Sequence, residues 1–312
     1  MLLQAIDEYE KDMKAESFLT QIVLPPTQEL LVLAGSGNEK AYVGRKRWLF
    51  YRPGIDYCTG PGFLDERQMA RRGDSGTEWR SAPQSDPRAA ILQFHRQLAE
   101  RSIRLVIMPT PDKATIHPEK FSAQYEGRRI SIHNPSYRQF LDEIRAKGVL
   151  VCGVTDALTR YRDGPGNAAY LATDTHWRPE VMELAATELA GLIEEEIVFD
   201  GTAVTGYRHQ PSRDVRNLGD IAMMLKLRQH QRVFNEEVVT IRPVVDIAGM
   251  PWRPDPAADV LVLGDSFANI YSLEEMDWGC AAGLVEQLSV ALNRPVDAIL
   301  LNDNGAYASR ET

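Results

Sequence analysis

Cysteine is scarce in this chain, which holds only Cys58, Cys152 and Cys280. An odd, widely spaced set gives neither a disulfide framework nor the paired spacing of a zinc site, so the three read as small core residues. Long apolar runs are missing too. No stretch approaches the roughly 18 residues that cross a bilayer, and the N-terminus runs through Asp7, Glu8, Glu10, Lys11 and Asp12 where an export signal would be apolar. Positive charge is in deficit, with 35 Lys and Arg against 44 Asp and Glu and a formal net charge of -9. That balance argues against a nucleic-acid partner, because phosphate binding needs a concentrated basic surface; a local basic groove for an anionic polymer stays open. Also lacking are a His-Glu-x-x-His metal motif and a phosphate loop, since Gly35-Ser36-Gly37 has no Lys-Ser/Thr ending. No metal or other cofactor is expected.

Apolar residues are plentiful: they make up 44% of 312 residues, enough for a sizeable core in one large domain or two small ones. Residues 1–40 read as a helical arm with Ile6, Tyr9, Met13 and, more loosely, Phe18 and Ile22 at helical spacing, ended by Pro25-Pro26. From Tyr42 two short β-prone runs flank a polar turn, which predicts a hairpin. Asp65 to Pro87 is polar and aperiodic, as in a long surface loop or lid. Beyond it, helices are expected over 87–101, 137–147, 179–195 and 278–292, alternating with short apolar strands over 105–108, 149–154, 260–263 and 298–301. Apolar strands separated by helices predict an α/β fold with a mostly parallel sheet covered on both faces. Ligands sit at the carboxyl ends of such strands, which here are 109–113, 155–156, 264–266 and 302–305.

One of those ends, Gly264-Asp265-Ser266-Phe267, follows the apolar run Val260-Leu261-Val262-Leu263. A strand that delivers a serine to the sheet edge can expose its hydroxyl while its own N–H faces a developing oxyanion. A helix-capping turn is the alternative. The same triplet at Gly73-Asp74-Ser75 has no strand before it and reads as a plain turn. Six histidines compete to be the base. His95 lies on an apolar helix face and reads as packing; His117, His133, His209 and His230 lie in loops or charged surroundings and read as surface residues. His176 is different, because Pro179 keeps the preceding chain out of helix, and in an extended chain Asp174 and His176 project to one side. Asp174 could then hold the Nδ1 proton and leave Nε2 free to take one from a serine; a cap for the next helix is the other use of Asp174. Asn302-Asp303-Asn304-Gly305 lacks the later Glu of a calcium loop and reads as a tight turn.

Asp174-Thr-His176-Trp177 upstream of Gly264-Asp265-Ser266-Phe267 resembles the SGNH hydrolase-like family of the alginate O-acetyltransferases AlgX and AlgJ. Ordinary SGNH esterases carry these blocks in the opposite order with a longer Asp-to-His spacer. Gly44 to Phe50 is similar to the family's Gly-x-x-Gly-Trp-Leu-Phe hairpin, with Arg47 in place of the second glycine; 109–119 and 219–225 resemble further family segments. The likeness covers roughly 41 to 310 and sets a catalytic domain at 41–312. It implies a Rossmann-like three-layer α/β/α domain with Ser266 as nucleophile, His176 as general base and Asp174 as the orienting acid. The Ser266 and Gly305 N–H groups are candidate oxyanion donors, and Lys113 and Trp177 candidate contacts to substrate. The resemblance further implies acetyl transfer to a polysaccharide outside the cytoplasmic membrane, with a membrane-bound acyltransferase donor and export proteins as partners. It also leads us to expect a last helix and strand beyond this chain. A carbohydrate acetylesterase with the same three residues, and a non-catalytic polysaccharide-binding component, are the alternatives.

Overall fold

The computed structural model describes residues 18–75, 84–199 and 206–302. The first helix, Phe18–Leu33, runs on through Pro25 and Pro26 against the expected stop. A proline inside a helix strips one N–H from the ladder. Ile22 and Val23 are exposed, so the freed carbonyls can be solvated, and Thr27 Oγ1 donates to the Val23 carbonyl at 2.7 Å. Val32 on the last turn is buried against Ala41, Leu49, Ile221 and Phe234, which ties the helix to the domain. The expected hairpin follows as β1 (Ala41–Val43) and β2 (Leu49–Tyr51), paired antiparallel.

The stretch read as a loop is partly helical. Asp65 caps a helix over Glu66–Gly73 by accepting from the N–H groups of Arg67 and Gln68, and Gly73-Asp74-Ser75 closes it as the expected turn. Residues 76–83 lie outside the described part. The 87–99 helix opens on an Asp86 cap with Pro87 in its first turn. After it come β3 (Val106–Ile107) and β4 (Leu150–Val151), paired in parallel. Further on lie β5 (Arg208–His209), β6 (Arg213–Asn217), β7 (Glu237–Ile241), β8 (Val244–Val245), β9 (Leu261–Gly264) and β10 (Asp297–Leu300). β9 and β10 form the second parallel pair; β5–β8 and β6–β7 are antiparallel.

The fold is thus mixed α/β, and a mostly parallel sheet is not what the described ladders form. Among the described residues the strands make separate pairs, and only two of the five pairs are parallel. In β7, Val239 and Ile241 are buried while Val238 and Thr240 are exposed, the alternation of a ladder with one wet face. Leu261 and Leu263 of β9 are exposed as well.

The core centres on the 179–196 helix. Val181, Met182, Ala185, Ala186, Leu189 and Ile193 form a continuous buried stripe at helical spacing, packed on Leu284, Val285, Leu288 and Leu292 of the 284–292 helix. The alanines let the two backbones approach, and each fully buried Leu or Val contributes roughly 1.5–3 kcal/mol. Residues 278–283, expected to begin that second helix, turn instead through Gly279 at φ 97° and Ala281 at φ 58°. Cys58 and Cys152 are buried, and burial pushes their thiols up to about 12 and about 11, so they are inert packing residues. Among the described residues no helix is long and apolar enough to cross a membrane.

Candidate active site

Asp174 and His176 sit in a narrow loop closed by an antiparallel bridge between Tyr170 and Trp177. The Leu171 N–H donates to the His176 carbonyl at 3.1 Å and the Arg178 N–H to that of Ala169 at 2.9 Å, leaving 172–175 as the tip. Pro179 starts the next helix and fixes the exit. Asp174 Oδ1 lies 2.7 Å from His176 Nδ1 and accepts the His176 backbone N–H at 3.0 Å. Its other oxygen, Oδ2, accepts from the Asp220 N–H at 3.0 Å and from Trp278 Nε1–H at 2.9 Å. Asp174 therefore serves the histidine and not the following helix, whose N-cap is Arg178 with no side-chain bond.

The loop tip is fixed by distant residues. Lys113 Nζ donates to the carbonyls of Leu49, Ala172 and Asp174 at 2.6, 2.9 and 2.9 Å, joining the hairpin to the loop. Thr175 N–H donates to Asp220 Oδ1 at 2.7 Å, Thr173 N–H to Glu237 Oε1 at 3.0 Å, and Ala222 N–H to the Thr173 carbonyl at 3.1 Å. Gly219 lies against this backbone at φ 94°; a Cβ there would sit 2.7 Å from the Thr173 carbonyl and 2.9 Å from the Asp174 nitrogen. Only glycine serves both the dihedral and the approach.

Electrostatics fix the protonation states. Burial works to raise the Asp174 carboxyl, but the adjacent imidazole and its N–H donors outweigh it and hold the group below the ordinary carboxylate range. Burial works to lower His176, yet the charge of Asp174, helped by Asp220 and Asp265, raises it above the ordinary 6.5. An ionised Asp174 facing Nδ1 keeps the proton there and leaves the lone pair on Nε2. That atom is buried and has no hydrogen-bond partner among the described residues.

Ser266 opens a one-turn helix, 266–269, directly after β9. Gly264 permits the turn, since a Cβ would lie 2.9 Å from Leu300 Cδ2 and 3.1 Å from Ala268 Cβ. The Asp265 carboxylate accepts the Phe267 N–H at 3.0 Å, and no acceptor among the described residues takes the Ser266 N–H. This turn is fastened to the histidine loop. Trp177 Nε1–H donates to the Phe267 carbonyl at 3.1 Å, the Tyr271 hydroxyl to the Trp177 carbonyl at 2.7 Å, and the Phe267 ring lies 4.8 Å from the His176 ring. Ser266, His176 and Asp174 line one cavity of about 580 Å³ together with Asp265 and Asn302. Ser266 Oγ and His176 Nε2 make no hydrogen bond in this state; catalytic contacts of this kind commonly tighten only around a reacting ligand.

Other expected residues fall elsewhere. Trp177 is fully buried with its N–H spent on Phe267, so it is a brace and not a sugar platform. Lys113 lines the cavity, but each of its three protons meets a backbone carbonyl, which leaves no donor for substrate; burial pushes it down to about 7 against the pull of Glu237, Asp174 and Asp220. Gly305 lies outside the described residues. His117 is buried and not on the surface: Nε2 accepts the Ala169 N–H at 3.0 Å, so Nδ1 carries the proton to Glu119 Oε1 at 3.1 Å. His95 is half-buried, and His209 is bonded to Gln287 at 2.8 Å. Trp278, Asp220 and Asn302 were not singled out as site residues from sequence; Gly219-Asp220 and the strand end at 302–305 were the local signals for two of them.

Asp174, His176 and Asp220 bring ligand-type atoms within 4.8 Å of one another. Both Asp174 oxygens already accept N–H groups, and Asp220 Oδ1 accepts that of Thr175. Donors aimed at these oxygens suit a hydrogen-bonded dyad and would oppose a cation.

Residues 41–305 match the family described as the SGNH hydrolase-like domain of acetyltransferase AlgX. The chain is 30% identical over 127 residues to the "probable alginate O-acetylase AlgJ" of Pseudomonas aeruginosa, covering 39% of this chain and 31% of that one. To the protein of the same name from Azotobacter vinelandii it is 26% identical over 162 residues, 52% of this chain and 36% of the other. The match thus spans about a third of these relatives' length. Among solved structures, the O-acetyltransferase domain of Pseudomonas putida AlgJ superposes with TM-score 0.61 at 19% identity over 87% of this chain and 84% of that one. Pseudomonas aeruginosa AlgX gives TM-score 0.58 at 13% identity, covering 85% and 54%. At such identities the structures speak for the fold alone.

Proposed function

Because the chain belongs to the SGNH hydrolase-like family of the acetyltransferase AlgX, we propose that it is an O-acetyltransferase that modifies a polysaccharide through an acetyl-Ser266 intermediate. The observation that carries the reading is the His176 Nε2 lone pair. It is buried and unpartnered, its tautomer is set by Asp174, and it borders the cavity that Ser266 also lines.

Ser266 Oγ attacks the acetyl carbonyl carbon while His176 Nε2 takes its proton, and Asp174 steadies the resulting imidazolium. The oxyanion is met by the Ser266 N–H and by the side-chain amide of Asn302, whose Oδ1 accepts from Asn269 at 2.9 Å and whose Nδ2 makes only a 3.6 Å contact to Met276 Sδ. Collapse breaks the bond to the donor's leaving group, which receives the proton from His176. A sugar hydroxyl then attacks the acetyl-serine and gives its proton to His176; as the ester forms the bond to Ser266 Oγ breaks, and His176 returns that proton to the serine oxygen. With water in place of the sugar the same steps make an acetylesterase.

We take β3–β4 and β9–β10 as parts of one Rossmann-like three-layer sheet within a catalytic domain spanning 41–312. In support, Asp112 after β3, Ser266 after β9 and Asn302 after β10 line the same cavity, as carboxyl ends of parallel strands do. We further propose that the enzyme works outside the cytoplasmic membrane beside a membrane-bound acyl donor and export proteins, as the resemblance implies.

The test is turnover of a chromogenic acetate ester, with and without oligosaccharide, followed by mass spectrometry of the trapped enzyme. Wild type is expected to carry one acetyl group on Ser266 and Ser266→Ala none. An unmodified Ser266 with undiminished acetylation by Ser266→Ala would refute the reading.

A further inference from the structure

We propose that residues 2–13 fold back as an amphipathic helix onto the exposed face of the Phe18–Leu33 helix, so that the two make a helical hairpin. The Phe18–Leu33 helix is inside out. Ile22 is 54% exposed, Val23 50%, Leu30 69% and Leu33 66%. Its polar residues turn inward instead: Gln28 is buried with Nε2 donating to the Gly37 carbonyl at 3.3 Å, and Glu29 is bonded to Arg228. Ile22, Pro26, Leu30 and Leu33 follow one another at spacings of four, four and three, which puts them on a single stripe. A surface helix ordinarily gives its polar side to water, and an apolar stripe in that place marks a docking surface.

The residues directly ahead of the helix match that stripe. Leu2, Ile6, Tyr9 and Met13 recur at spacings of four, three and four, with mostly polar residues between them, the pattern of a helix with one apolar side. Ser17 stands immediately before Phe18 and is of the type that caps an N-terminus, so a new helix starts there. With 14–17 as the turn, a usual length between antiparallel helices, position 13 meets 22, 9 meets 26, 6 meets 30 and 2 meets 33. Each stripe then runs about 18 Å at 1.5 Å per residue. Tyr9 falls level with Pro26, where its hydroxyl can meet the Ile22 carbonyl that a proline cannot bond. Charge agrees with this pairing. Residues 1–17 hold five Asp and Glu against two Lys, and the groove of about 400 Å³ beside Leu33 is lined by the exposed Arg47 and Arg232. Folding back carries Asp7 and Glu8 alongside that groove. An acidic segment at this place speaks against the face lying on anionic lipid. The direct tether holds the segment at an effective concentration on the order of mM, which a second copy would have to exceed.

The experiment is hydrogen exchange read by mass spectrometry on the full chain. Amides of residues 2–13 are expected to exchange at least about tenfold more slowly than an unstructured chain, at every protein concentration and without vesicles. L30K/L33K, which alters exposed positions only, is expected to abolish the protection. R47E/R232E is expected to weaken it, and D7K/E8K added to R47E/R232E to restore it, a rescue that general unfolding would not give. Exchange of 2–13 at the unstructured rate overturns the proposal, as does protection that L30K/L33K leaves intact. Protection that grows with protein concentration means that a second copy covers the face, and protection that needs phosphatidylglycerol vesicles means that a membrane does; either result overturns it.

Discussion

Replacing Trp278 with Phe tests whether the dyad is held from behind. The change keeps an aromatic ring at a position only 1% exposed and removes the Nε1–H that donates to Asp174 Oδ2 at 2.9 Å. A hydrogen bond to a charged group is worth about 1.5–3 kcal/mol, equivalent to a rise of about one to two pKa units in the carboxyl. Because Asp174 starts below its ordinary range, it stays ionised at neutral pH, and what is lost is position. If the whole loss appears in the transition state, kcat falls about 10- to 100-fold. That lies well short of the ~10⁴-fold cost of losing an orienting carboxylate. The assay is acetate-ester hydrolysis across pH beside a thermal melt, since the smaller ring leaves a void that lowers the melting temperature by itself. The acid limb should stay in place while its plateau drops. A plateau within about threefold of wild type in a variant still folded at the assay temperature would show that the indole does not hold the dyad.

Five further outcomes follow from the same geometry. His176 acts as a base only when neutral, and Asp174 raises it above 6.5, so kcat/KM should fall as pH drops through a limb above that value. Asp174→Asn leaves burial to dominate, moves the limb to lower pH and costs ~10⁴-fold in rate; a limb that stays put refutes the assignment. In the folded state the raised His176 contributes stability that is full below 6.5 and lost as pH rises through its folded value, which urea titrations over pH would detect. Gly219→Ala should cost at least about 2 kcal/mol in urea unfolding, from a strained dihedral and contacts with the Thr173–Asp174 backbone. Lys113→Met strips the ammonium from three carbonyls, of which that of Ala172 keeps the Leu49 N–H at 2.8 Å, and at about 1–3 kcal/mol for each of the other two the loss should reach at least about 2 kcal/mol, with activity falling as the loop loosens.

The dyad was legible because its cause is local: Pro179 disfavours helix before it, and across the bent tip the Asp174 carboxylate takes both the N–H and the ring nitrogen of the residue two further on. Trp177, the next residue, is buried in the core with its N–H on the Phe267 carbonyl, a contact 90 residues away that its aromatic type alone does not announce. Ser266 was legible as a strand-end serine, yet nothing local announced that Trp177 would hold its turn from 90 residues away. Trp278 and Asp220 reach Asp174 across 104 and 46 residues and could not be assigned from neighbours. His117 was misplaced for the same reason, since its burial depends on the Ala169 N–H. The sheet was over-read because β6, Arg-Asp-Val-Arg-Asn, is almost wholly polar and carries no apolar run for a sequence reading to find. Pro25-Pro26 failed as a stop because an exposed helix can leave carbonyls to water.

The bond from the Trp177 indole to the Phe267 carbonyl has a consequence for how this molecule comes to life. The loop with the imidazole and the turn with the hydroxyl belong to segments that must meet late, since each is completed by chain made far from it. During renaturation, then, ester hydrolysis should lag behind the return of helical circular dichroism. It should appear together with the final quenching or shift of indole emission, making turnover a gauge of the last event in assembly.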